Sequence, residues 1–153
     1  VFTVPAAVGA VAFQNKAVVY AILFEAALWT LKTIAADRRH LGGEIGGIAI
    51  LHSWGQALTH HPHIHCLIPG GALAQDGRWI ACRPNFFLPI HVLSRLFRRR
   101  FIERLVQAHD AGELSFFEDL LALNGPEAFA GMIAEQRRIN IVYPVSPIAP
   151  RRA

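Results

Sequence analysis

HHPHIHCLIPGG, residues 60–71, places four imidazoles in six positions and then runs into an apolar stretch closed by Pro-Gly-Gly. In an extended strand, residues two apart project from the same face, about 6.5–7 Å apart at the Cα atoms. His63 and His65 therefore stand side by side, while Ile64 and Cys66 point to the opposite face and can enter a core. Two neutral imidazole nitrogens in that relation form a metal-ligand pair, and a third protein ligand is expected.

The preceding segment, GGIAILHSW (residues 46–54), is β-branched and bulky after a glycine cluster and reads as a neighbouring strand. GQALTHHP connects the two into an antiparallel hairpin. Proline has no N–H for a ladder, so Pro62 fits only at the start of the second strand or just before it, which sets that strand at residues 63–68. His52, Trp54 and Gln56 share one parity. Gln56, seven residues before His63 and within reach across the turn, is preferred as third ligand over His52 and His60. His60 and His61 read as solvated loop residues, and His40, His91 and His109 as ordinary helix or loop histidines.

The chain of 153 residues fits one domain and can bury a real core. It is 53% hydrophobic, which excludes intrinsic disorder. The most apolar long window, residues 17–31, is interrupted by Tyr20, Glu25 and Thr30, so no membrane span is expected. The opening VFTVPAAVGA lacks the basic flank and apolar length of a secretory signal. Without an initiating Met, the sequence reads as a piece that begins inside an element. Cys66 and Cys82 have no C-x-x-C spacing, so reduced thiols in a cytoplasmic setting are the expectation. A net charge of +4 favours a polyanionic partner, nucleic acid first.

Elsewhere, residues 1–4 read as a short strand. Residues 11–36 read as one long helix with Phe13, Ala17, Tyr20, Phe24, Leu28 and Leu31 on its apolar stripe. ALAQDGRWIAC, residues 72–82, is a second hairpin centred on Asp76-Gly77. Residues 89–108 form a helix striped by Val92, Leu96, Phe97, Ile102 and Leu105. Residues 113–124 are partly helical, and residues 126–137 form a last helix. Arg95, Arg98, Arg99, Arg100 and Arg104 make the densest basic cluster and are the candidate DNA-phosphate contacts, against the plainer reading of a solvated helix face. Trp54 and Trp79 could stack bases of a single strand, although core packing is the more ordinary role.

The blocks VFTVPA, AFQNKAVVY, LHSWGQALTHHPHIHCLIPGGAL and WIACRPNFFLPIHVLSRLFRRRFIERL, in that order, carry a resemblance. HHPHIHCLIPGG resembles the HUH motif of rolling-circle nucleases. Its context is similar to the two-tyrosine transposases of bacterial insertion sequences, from Val1 to about Tyr143. The resemblance implies an α+β fold with an antiparallel sheet that carries the HUH pair and is covered by helices. It also implies Mg²⁺ or Mn²⁺ held by His63 and His65; Gln56, in the block WGQ, is the third ligand preferred from the reading of the residues. The implied reaction is attack by a tyrosine on single-stranded DNA of transposon ends, leaving a 5′-phosphotyrosine and a free 3′-OH.

The chain departs from that family in its tyrosines. Only Tyr20 and Tyr143 are present. Tyr20 lies in an apolar helix, and Tyr143 resembles a strand tyrosine that precedes the catalytic region. The expectation is therefore a partial transposase core over residues 1–143, followed by an irregular Pro/Arg-rich tail over residues 144–153. It lacks the nucleophilic helix and an upstream cysteine-rich region, and is unable to cleave alone. Two other readings stand beside it: a zinc-dependent hydrolase and a non-catalytic DNA-binding remnant. No Asp or Glu occurs between Ile45 and Gln75 to serve a zinc hydrolase as general base.

Overall fold

The computed structural model describes residues 1–54 and 59–136. Its element order is β1 (Phe2–Thr3), α1 (Ala6–Gln14), α2 (Lys16–Ala36), β2 (Ile48–Trp54), β3 (His60–Leu67), β4 (Gly71–Leu73), β5 (Trp79–Ala81), α3 (Ile90–Asp110), a 3₁₀ segment (Glu118–Asn124) and α4 (Pro126–Gln136). The fold is α+β. β1, β3 and β2 form one antiparallel sheet in that order, and β4 and β5 form a separate hairpin. The histidine strand β3 is thus the central strand, held on both sides.

One face of the sheet packs against the helices. Ile64 is fully buried there, and Phe2 from β1 meets the ring of Phe97 on α3 at 4.8 Å between centroids. α2 and α3 pack on one another, with Val19, Leu23, Ala26, Phe97, Phe101 and Leu105 at the centre of the core. Ile48, Ile50 and Leu67, at alternate positions on β2 and β3, remain more than half exposed. Their side of the sheet bears no helix among the described residues.

The expected single helix over residues 11–36 is two helices broken at Asn15, and the first begins at Ala6, directly after Pro5. Buried amides explain the break. Asn15 donates to the carbonyls of Val11 and Ser115 and accepts from the Ser115 N–H, while Gln14 makes the equivalent pair of bonds with the Phe117 backbone. Two consecutive side chains thereby imitate a strand pairing, a partnership 100 residues away that no local period could announce.

The expected stripe was also rotated. Val19, Ile22, Leu23, Ala26, Ala27, Thr30 and Leu31 are buried, while Phe13 and Leu28 are exposed and Tyr20 and Phe24 half-buried. A helix apolar on all sides gives periodicity nothing to choose with. By length and composition α2 could cross a membrane, with a mean hydropathy of 1.5. Here it is the helix on which the core is built, and Glu25 within it pairs with Arg100 of α3.

Pro62 stands at the third position of β3, against the expectation that it must begin the strand or precede it. The register resolves this. Ile48 to His52 pair in sequence with Leu67 to His63, but Trp54 then pairs with His60, so His61 and Pro62 together oppose Ser53 in a bulge. The missing N–H falls where the ladder is already interrupted. Consequently His60 and His61 are strand residues, half-buried, and not solvated loop. The Asp76-Gly77 hairpin forms as expected, with Gly77 at φ +83°.

Replacing Asn15 with Ala should lower stability by about 1–2 kcal/mol, because the part-buried bonds of its amide to the Ser115 N–H and C=O are lost together. Urea unfolding of the variant against the parent chain measures the loss.

Candidate metal centre

Alternation along β3 sends Pro62 and Ile64 inward and turns His61, His63 and His65 outward. Their rings follow one another at 5.5 Å (His61 to His63) and 5.0 Å (His63 to His65) between centroids. The in-register partner of His63 on β2 is His52. The His52 ring lies 5.4 Å from that of His63 and 4.4 Å from that of His65. One nitrogen from each of His52, His63 and His65 falls within 4.8 Å of the others.

Donors sharing one ion at about 2.1 Å lie roughly 3–3.5 Å from each other, so closing the triad takes about an ångström of movement at the ring tips. The set fits a divalent cation. All three donors are imidazoles, and no carboxylate joins them among the described residues.

The tautomer of one candidate ligand is fixed by the backbone. His63 Nδ1 lies 2.7 Å from the carbonyl oxygen of His61, which can only accept, so Nδ1 carries the proton and Nε2 keeps the lone pair. Desolvation, with the neighbouring His52 and His63 adding to it, lowers the pKa of His65 below the ordinary histidine value. Desolvation and then His63 lower that of His61. Both effects favour the neutral form, which for His65 is the one able to ligate a metal.

His60 belongs to a different cluster. Its Nδ1 donates to the carbonyl of Gly9 at 3.1 Å, which leaves Nε2 to accept from the Tyr20 hydroxyl at 2.9 Å. Phe13 and Trp54 pack edge-on against its ring. Tyr20 is therefore half-buried and engaged with an imidazole that is not part of the triad.

Of the expected ligands, the structure brings His63 and His65 together. Gln56 lies outside the described residues, as does Tyr143. His52, ranked below Gln56 on sequence distance, is the residue that completes the cluster. Register would have found it: once the turn is centred between the two strands, His52 falls opposite His63. Trp54 and Trp79 are more than half exposed and not core residues.

The five arginines on α3 do not form one free basic face. Arg100 binds Glu25 through Nε at 3.0 Å and lies over the Trp29 ring at 4.9 Å, and Arg104 approaches the same carboxylate at 3.9 Å. Arg99 pairs with Glu103 one turn on, an exposed contact of little energetic weight. Arg95 is exposed, with no carboxylate partner among the described residues. Arg98 is half-buried.

Residues 46–146 match the sequence family described as "Putative transposase", and the chain belongs to that family. It is 57% identical over 151 residues to "Putative transposase y4qJ" of Sinorhizobium fredii, covering 97% of this chain and 38% of that protein. It is 37% identical over 79 residues to the "Transposase for insertion sequence element IS801" of Pseudomonas savastanoi pv. phaseolicola, covering 52% of this chain and 18% of the relative. The chain thus spans well under half the length of these curated relatives. No solved structure matches it at significance.

Substituting His52 with Ala should weaken Mn²⁺ binding at least tenfold, because it removes one of three protein donors, whereas His60→Ala should leave it unchanged. Isothermal titration of each variant reads the difference. Protons compete for the same nitrogens, so affinity should fall in acid, with His65 staying neutral to a pH below the ordinary histidine range.

Proposed function

We propose that this chain is the metal-binding core of a transposase of the HUH single-strand nuclease type, acting on single-stranded DNA at transposon ends. The observation that carries this reading is the convergence of His52, His63 and His65 on one open sheet face, in a chain of a transposase family. When bound, a divalent cation supplies Lewis-acid polarisation of a phosphate oxygen. His63 and His65, fixed on a central strand, and His52 beside them hold that cation in place. Ile50, opposite His65 in the register, and Leu67, two residues beyond it on the same face, flank the triad as exposed apolar side chains.

In the reaction this class of site supports, a tyrosine oxygen forms a bond to phosphorus and the P–O3′ bond breaks. The tyrosine proton is lost as the 3′-oxygen gains one, giving a 5′-phosphotyrosine and a free 3′-OH. Tyr20 does not suit the part of nucleophile, since its hydroxyl is bonded to His60 and not directed at the triad. With Tyr20 engaged by His60, the part proposed for residues 1–143 is to bind metal and DNA, without cleavage through Tyr20. A donor set of three imidazoles ranks Mn²⁺ above Mg²⁺.

The same three imidazoles also suit Zn²⁺, and this supports the second reading of a zinc site. Metal-dependent behaviour separates the two. The test is single-stranded transposon-end DNA incubated with the chain and with the full-length Sinorhizobium relative, in Mn²⁺ or Zn²⁺. The expected result is Mn²⁺-dependent DNA binding by the chain and a Mn²⁺-dependent covalent adduct with the relative. An adduct on Tyr20 or Tyr143 of this chain, or water-driven hydrolysis supported by Zn²⁺ alone, would overturn the proposal.

Of the α3 arginines, Arg95→Ala should weaken single-strand binding and reduce the salt slope by about one unit. Arg100→Ala should instead lower thermal stability, since its guanidinium joins α2 to α3. Filter binding across a salt series and a thermal melt report the two effects separately.

A further inference from the structure

Thr3, the second residue of β1, sits between Phe2 and Val4, three consecutive residues that are all buried, with Thr3 only 4% exposed. Valine has the same shape and carries no desolvation cost, so a hydroxyl at this position is expensive unless it is bonded. Its bond is to the His61 ring, with Thr3 Oγ1 2.8 Å from Nε2. β1 pairs with β3 so that Thr3 stands directly opposite His63, and the hydroxyl reaches diagonally to the residue two positions earlier on the same face. Packing of β1 against the helices is carried by Phe2, whose ring meets Phe97. Nothing in that packing requires an oxygen on Thr3.

His61 is thereby held at two points. Thr3 holds its ring, and its carbonyl accepts the Nδ1–H of His63. His61 lies within the bulge, where the β2 ladder is interrupted and cannot fix the backbone by itself. A hydrogen bond from β1 substitutes for the missing ladder contact.

We infer that Thr3 is a positioning residue of the metal centre. By anchoring the His61 ring it fixes the peptide whose carbonyl orients the His63 imidazole and commits Nε2 of that ring to the ion. The inference rests on the proposed metal reading and adds the N-terminal strand to the site. Groups that orient a ligand from behind typically change metal affinity ten- to a hundredfold when removed.

The test compares Thr3→Val, which keeps shape and loses the hydroxyl, with Thr3→Ser, which keeps the hydroxyl. Mn²⁺ affinity is read by titration, urea midpoints are measured without metal, and ¹⁵N-histidine spectra report the His63 tautomer. The expected result is Mn²⁺ binding about tenfold weaker in Thr3→Val and restored in Thr3→Ser. The metal-free urea midpoint should not fall, and the valine variant alone should show a mixed His63 tautomer. His61→Leu cuts the same link from the other side and should weaken binding equally, so it carries the test if Thr3→Val folds poorly. Unchanged Mn²⁺ affinity in both variants overturns the positioning role and leaves the metal reading standing. Failure of the parent chain to bind Mn²⁺ overturns the metal reading itself, and the positioning role with it.

Discussion

The strict alternation of β3 between two environments is the constraint on which everything else rests. Pro62 and Ile64 face the helices and are removed from water, so His61, His63 and His65 have no choice but the opposite side. A shift of one residue would bury imidazoles against the helices and expose Ile64, which makes the register energetically fixed. Because β3 is flanked by β1 and β2, its backbone is braced on both edges. Three imidazole nitrogens therefore gather from two strands without a loop having to position any of them.

The bulge at His61 and Pro62 divides the eight residues of β3 into two functional halves. On one side of it, His52 and His63 are in register and the imidazole triad forms. On the other, Trp54 faces His60, which turns its nitrogens to Gly9 and Tyr20. Four histidines in six residues thus separate into two members of the imidazole triad, one whose carbonyl accepts from His63, and one that ties the strand to α1 and α2. The division explains why Tyr20, a tyrosine close in space to histidines, has a structural part.

Charge on α3 follows the same logic of position over composition. Arg100 is committed to Glu25 and Trp29, so part of the positive charge is spent in joining two core helices. Arg95, on an exposed part of the helix, has no carboxylate partner among the described residues. A net charge of +4 says that a polyanion is welcome but not which arginines meet it.

The sequence by itself determined the two hairpins, the helix over 89–108, and the pairing of His63 with His65, because each depends on spacing within a few residues, while the α+β class followed from the family resemblance. Tertiary structure alone decided the partner of that pair, the helix break at Asn15, the buried face of α2 and the place of Pro62 inside a strand. Each of those depends on a register or a hydrogen bond between segments far apart in the chain. His52 reaches the site by cross-strand pairing, Asn15 by bonds to Ser115, and Thr3 by the pairing of β1 with β3. Local periodicity carries no information about which distant strand will lie alongside, and that adjacency turns a pair of histidines into a site.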